Sequence, residues 1–136
     1  MTGTKVLIIG ANTALRTSLE EQLKLHDEFV AIGSNSLKHS IKLIKEHRID
    51  IIVCDDHLPE VTACEIFGFL RQNSFNLPFI MLFDSTAEPV MLEKFSGGKD
   101  SYIIKPFKLS FLIEKLRISF RHEAFNSCLE MIATPL

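Results

Sequence analysis

Asp55 and Asp56 stand side by side directly after the apolar run Ile51-Ile52-Val53-Cys54, and His57, Leu58 and Pro59 follow them. Adjacent carboxylates can hold a hard cation, accept a group through a carboxylate oxygen, or simply turn into water. The run before them is short, β-branched and without alternation, the pattern of a strand buried on both faces. Pro59 forbids a simple continuation of that strand. The acidic pair is therefore expected at the carboxyl end of a central parallel strand, where ligands collect in open α/β sheets. Lys105-Pro106 ends a second apolar run, Tyr102-Ile103-Ile104, and aims an ammonium at the same crevice. An Asp–Lys pair there is either a structural ion pair or a means of sensing an acyl phosphate.

Other chemistry finds less support. A hard cation needs several oxygens converging on one point. The first apolar run, Val6-Leu7-Ile8-Ile9, ends in Gly10-Ala11 and brings no carboxylate; only Asp84, after the fourth run, could add one. His57 reads as a solvated loop histidine, and no metal is expected. Residues 6–11 carry one glycine where a dinucleotide loop needs several. Gly97-Gly98 reads as a helix stop. A nucleotide-binding enzyme remains only as a third alternative.

The elements that must position these residues follow in order. Strands are expected at Lys5–Gly10, Phe29–Ile32, from Ile51, at Phe79–Phe83 and at Tyr102–Ile104. Helices are expected after Asn12 or Thr13, after Ser34-Asn35-Ser36, from about Thr62 to Gln72, after Pro89, and from about Leu109 to beyond Phe120. Leu15, Leu19 and Leu23 recur every four residues, an apolar helix stripe. Five strands alternating with five helices predict a doubly wound α/β sheet with helices on both faces. The chain has 136 residues, enough for one core. A domain over 1–122 and a tail over 123–136 are expected, the tail without a clear period.

A net charge of −2 gives no electrostatic case for nucleic acid or a membrane surface. No apolar run approaches a membrane span. The three cysteines, Cys54, Cys64 and Cys128, lack ligand-like spacing. A reducing, cytoplasmic location is the expectation.

From about Lys5 to Arg121 the chain resembles a bacterial response-regulator receiver domain. The resemblance rests on Val-Leu-Ile-Ile followed by Ala-Leu-Arg at 14–16, on Asp-Ile-Ile-Val-Cys-Asp with Leu58-Pro59, on Leu77-Pro78, and above all on Tyr102-Ile103-Ile104-Lys105-Pro106-Phe107. The style is that of receivers from the winged-helix OmpR/PhoB class, whose DNA-binding domain this chain does not contain. The resemblance implies a flavodoxin-like sheet of order 2-1-3-4-5 and a cis peptide at Lys105-Pro106. It implies Asp55 as the phospho-acceptor position, Lys105 as the phosphate-sensing lysine and Tyr102 as the aromatic switch position. Departures are equally informative. Gly10 and Ala11 replace the acidic pair that holds Mg²⁺ in the family. Phe83 replaces the hydroxyl residue at the second switch position, and Ala63 replaces a glycine.

The expected function is thus an atypical receiver: a protein-interaction or dimerisation module of two-component signalling, not an enzyme, with no cofactor. The alternative is a receiver phosphorylated on Asp55 by a histidine kinase, with Mg²⁺ held through Asp56 or Asp84. Phe83 is expected to lid the crevice over a direct or water-bridged Asp55–Lys105 pair. On the last helix, Leu109, Leu112, Ile113, Leu116 and Phe120 share the core face. Phe111, Ile118 and Phe125 fall opposite, where a helix on a sheet should be polar. In the winged-helix class, the face of fourth helix, fifth strand and fifth helix dimerises through charged pairs. Phe111 and Ser101 stand here at two of those acidic positions. An apolar interface centred on Phe111 and Ile118 is therefore expected, to a homodimer or another protein.

Overall fold

The structure, a computed structural model, describes residues 3–56, 58, 60–84 and 100–133, with 122–133 described by their backbone alone. Five strands, β1 (Thr4–Ile9), β2 (Phe29–Ser34), β3 (Ile51–Asp55), β4 (Phe79–Phe83) and β5 (Asp100–Ile104), form one sheet of order β2-β1-β3-β4-β5. Every pairing is parallel. Four helices lie among the described residues: α1 (Thr13–Lys24), α2 (Leu37–Glu46), α3 (Ala63–Gln72) and α4 (Leu109–Ala133). The helix expected after Pro89 and its glycine stop lie outside the described residues, as do His57 and Pro59.

Local chemistry fixes the helix starts. Asn12 caps α1 by accepting from Leu15 N, and Ser36 caps α2 through His39 N. Thr62 and Glu65 form a reciprocal capping box on α3. The sheet then sorts its side chains by parity. Val6, Ile8, Ile51, Val53, Ile80, Leu82 and Ile103 pack under α1 and α4 with Leu19, Leu23, Leu112, Ile113 and Leu116. Leu7, Ile9, Ile52, Cys54, Phe79, Met81 and Phe83 pack on the other face with Leu43, Ile66 and Leu70. Both faces of β3 and β4 are buried throughout.

Two expectations about the last helix and its neighbour need correction. α4 itself continues as helix to Ala133. Its 25 residues span about 37 Å, while a five-residue strand spans roughly 17 Å, so α4 outruns the sheet. Phe120, expected on the core face, is 42% exposed. There α4 has reached the starting ends of β1 and β2, and Phe120 lines an open groove with Thr4, Glu28 and Phe29. Ser101 is no surface position either. It is buried on the same sheet parity as Ile103, facing the α1–α4 layer, and its hydroxyl has no hydrogen-bond partner among the described residues.

Candidate functional site

The crevice is built where β1, β3, β4 and β5 end together. Asp55 is the last residue of β3, and its side chain is 9% exposed. Lys105 follows β5 immediately and is held there by its backbone N–H, which donates to Phe83 O at 2.7 Å. Strand parity points both side chains toward the α1–α4 layer, and Lys105 Nζ donates to Asp55 Oδ1 at 2.6 Å. The expected pair is thus direct. Asp56 N also donates to Asp55 Oδ1, at 2.9 Å. Asp56 turns its own carboxylate inward: Oδ2 accepts from Asp84 N at 3.1 Å and Oδ1 lies 3.5 Å from Lys105 Nζ. One ammonium therefore bridges two carboxylates, and the peptide at Lys105-Pro106 is cis.

Electrostatics follow from that geometry. Burial pulls the Lys105 ammonium toward its neutral form, but the hydrogen bond and charge of Asp55, with Asp56 behind, outweigh it and hold its pKa above the ordinary lysine value. Burial, and then the negative charges of Asp55 and Asp56, push the Cys54 thiol well above its usual range, so it remains an inert thiol.

At the β1 side the crevice is formed by Gly10 and Ala11. A side chain on Gly10 would bring its Cβ to 3.5 Å from Asp55 Cβ, an ordinary contact. Gly10 therefore stands directly beside Asp55 and supplies only backbone. Its carbonyl accepts from Arg16 Nη1, so a guanidinium sits where the end of β1 meets α1. The aliphatic part of Arg16 passes Gly33 of β2, where an added Cβ would lie 3.1 Å from Arg16 Cδ. Arg16 was missed as a site residue. The only signal for it was a cation one helical turn past a capped α1 start.

Phe83 does not lid the crevice. It lies on the opposite parity from Asp55, buried with Met81 and Phe79 on the far face of the sheet. Its ring meets the edge of Tyr102 at 6.2 Å between centroids. Phe83 and Tyr102, the positions at which the resemblance implies a switch, are thus brought together, but away from the Asp55–Lys105 pair. In place of a lid, a groove of about 470 Å³ opens beside Lys105, between α1 (Leu15, Ser18, Leu19, Gln22) and the segment Pro106–Leu109. Among the described residues, no group of three His, Cys, Asp or Glu could hold a metal ion. No described helix is long and apolar enough to cross a membrane. Of the interface positions, Phe111 is 58% and Ile118 45% exposed, while the Phe125 side chain lies outside the described ones.

The chain is similar to the response regulator MprA of Mycobacterium sp. (strain KMS), 28% identical over 120 residues, covering 86% of this chain and 50% of that protein. It thus spans about half the length of the curated relatives it matches. Among solved structures, the Francisella response regulator 1452 receiver domain superposes with a TM-score of 0.76 at 21% identity, over 88% of this chain and 98% of that one. The signal receiver domain of a Luxo repressor protein from Vibrio parahaemolyticus gives 0.81 at 15% identity, over 95% and 98%. At such identities these two likenesses speak for the fold alone. The sequence profile of the response regulator receiver domain matches residues 6–117. With that match covering most of its length, and with the parallel sheet and strand-end aspartate already in place, the chain belongs to the response regulator receiver domain family.

Proposed function

We propose that this receiver domain works as an atypical, protein-interacting module of two-component signalling, without Mg²⁺-dependent phosphorylation and without catalysis of its own. The observation that carries the reading is the Lys105–Asp55 contact at 2.6 Å with Gly10 directly beside Asp55. Phosphoryl transfer to a carboxylate places charge on oxygens that a metal must neutralise. The residues present do not fit Mg²⁺. Gly10 and Ala11 offer no carboxylate, Asp56 is turned to Asp84 N and Lys105, and the Gly10 carbonyl already accepts from a cation. Phe83 offers no hydroxyl to a phosphoryl group and packs on the other face. No cofactor enters this reading. A cytoplasmic setting and a protein partner, a second copy or another chain, belong to this reading and agree with a net charge of −2.

A second reading keeps one observation in its favour: Asp55 and Lys105 retain an acceptor–lysine pair, with a groove opening beside the lysine. Under it, a histidine kinase would phosphorylate Asp55, with Mg²⁺ held through Asp56 or Asp84. Titration of Mg²⁺ against Tyr102 fluorescence, and intact-mass measurement after acetyl phosphate treatment, separate the two. We expect no saturable Mg²⁺ response and no phosphoryl adduct. An acid- and base-labile adduct that disappears in Asp55→Asn would replace the first reading with the second.

A further inference from the structure

Charge is spread unevenly over this chain. Its net charge is −2, yet residues 37–48 carry Lys38, Lys42, Lys45 and Arg48 against one acid, Glu46. All five side chains are exposed. The three lysines form one stripe on α2, since residues three and four apart are neighbours on a helix. Like charges at those spacings repel, so the stripe costs the helix some stability. Lys38 adds to that cost. It stands in the first turn of α2, which holds no acidic residue, and the helix dipole disfavours a cation there. Among the described residues, none of the three ammonium groups is paired with a carboxylate. Folding therefore gives no reason for this row of lysines.

The stripe borders a groove. About 560 Å³ opens between the start of α2 and the segment joining β3 to α3, with Leu37, Ile41, Leu58, Val61 and Phe69 as its apolar walls. Phe69, on α3, is 40% exposed. Ile41 is three residues from Lys38 and four from Lys45, so the lysines flank the side chain that α2 presents to the groove. Glu60 stands on the other side, away from α2. The groove is separate from the strand-end crevice. Leu37 and Ile41 pack with the α3 side of the sheet, whereas Asp55 and Lys105 face the α1–α4 layer.

We propose that this groove docks an acidic amphipathic helix of another protein. This rests on the interaction-module reading above and deepens it by naming the kind of partner. The argument is complementarity of two sorts in one place. Apolar side chains from one face of the helix fill the groove, the usual mode for a helix in a groove. A row of carboxylates along its edge meets Lys38, Lys42 and Lys45. The stripe covers about 10 Å of helix axis, or two turns, so acids at i, i+4 and i+7 reach all three. Glu60 sets the orientation, because it repels the acidic edge and leaves α2 as the side that accepts it. A small anion would leave the apolar walls unused. A nucleic acid stacks on aromatic rings, and this groove offers it one, Phe69, beside a repelling carboxylate.

Selection on the full chain from a phage-displayed library of random peptides, each about four helical turns long, tests this. Enriched peptides should carry Leu, Ile or Phe at helical spacing, with Asp or Glu along one edge. In fluorescence anisotropy, a synthetic enriched peptide should lose roughly tenfold in affinity to Lys42→Glu and to Phe69→Ala, and should bind more weakly as salt rises. Far-UV circular dichroism of Lys42→Glu should stay unchanged, since that side chain is exposed. No enrichment, enriched peptides without acidic residues, or affinity indifferent to both variants would each overturn the inference. So would tighter binding of a single-stranded oligonucleotide than of the peptide. Self-association in sedimentation that Lys42→Glu abolishes would put a second copy in the groove and overturn it too. Should the inference fail while acetyl phosphate leaves no adduct on Asp55, the proposed function stands. Peptide binding by a chain that is phosphorylated on Asp55 keeps the groove and removes that function.

Discussion

The strand-end crevice and the outer line of α4 handle unfavourable surface in opposite ways. In the crevice, a carboxylate with 9% of its side chain exposed is tolerated because Lys105 lies 2.6 Å away. The charge is compensated inside the chain, between residues 50 positions apart in sequence. On α4, Phe111 and Ile118 remain 58% and 45% exposed, with no such compensation inside the described residues. A buried charge without its partner costs several kcal/mol, so folding itself enforces the first arrangement. An exposed apolar side chain costs a fold little, so folding leaves such positions free to be used or not. The two regions thus carry different information: one reports what the domain needs in order to fold, the other is surface on which folding places no such demand.

The largest effect expected from breaking this contrast is at Lys105. Lys105→Ala removes the ammonium that bridges Asp55 and Asp56. A loss of about 2–4 kcal/mol in urea unfolding is expected, discounted for the partial exposure of the lysine. Adding Asp55→Asn should return part of it. A loss no greater than that of an ordinary surface substitution would mean the pair does not hold the crevice together.

A smaller effect should appear in alkali. The Lys105 pKa is raised in the fold, so the pair's contribution is complete below the ordinary lysine value of 10.5 and is lost as pH rises through the higher folded value. The stability advantage of the unmodified chain over Asp55→Asn should therefore be flat through neutral pH and shrink above that value. Denaturation midpoints of both proteins against pH measure it. A gap that stays level as pH rises through that value would assign the advantage to another group.

The smallest effect belongs to the exposed Arg117–Glu28 pair, each side chain 43% exposed. The hydrogen bond from Arg117 holds the Glu28 carboxyl below its usual value of 4.5, so any contribution is present above that value and fades as pH falls through the lower one. Arg117→Ala should leave the neutral-pH urea midpoint within error, as surface pairs do. A clear drop would show that this tie between α4 and the start of β2 is structural, and would blur the contrast with Lys105.

Much of the domain is legible along the chain. Unalternating β-branched runs identify β1, β3 and β4, and Asn12, Ser36 and Thr62 mark the helix starts by side chains that satisfy free N–H groups. Asp55 and Lys105 declare themselves because each ends such a run, and parallel strands deliver their ends to one edge. These are local signals, or consequences of parallel topology, and a sequence can carry them. The exposure of Phe120 is not legible there, because it depends on where the sheet stops beneath a helix, and the burial of Ser101 depends on which face of β5 it takes. Arg16 escaped notice because its partner is a backbone carbonyl, which no residue type announces. Phe83 is the plainest case. A strand buried on both faces shows no alternation, so its sequence does not say which face a given residue takes. Only the register of β4 between β3 and β5 decided that Phe83 packs on Tyr102 and leaves the Asp55–Lys105 crevice open to the groove beside it.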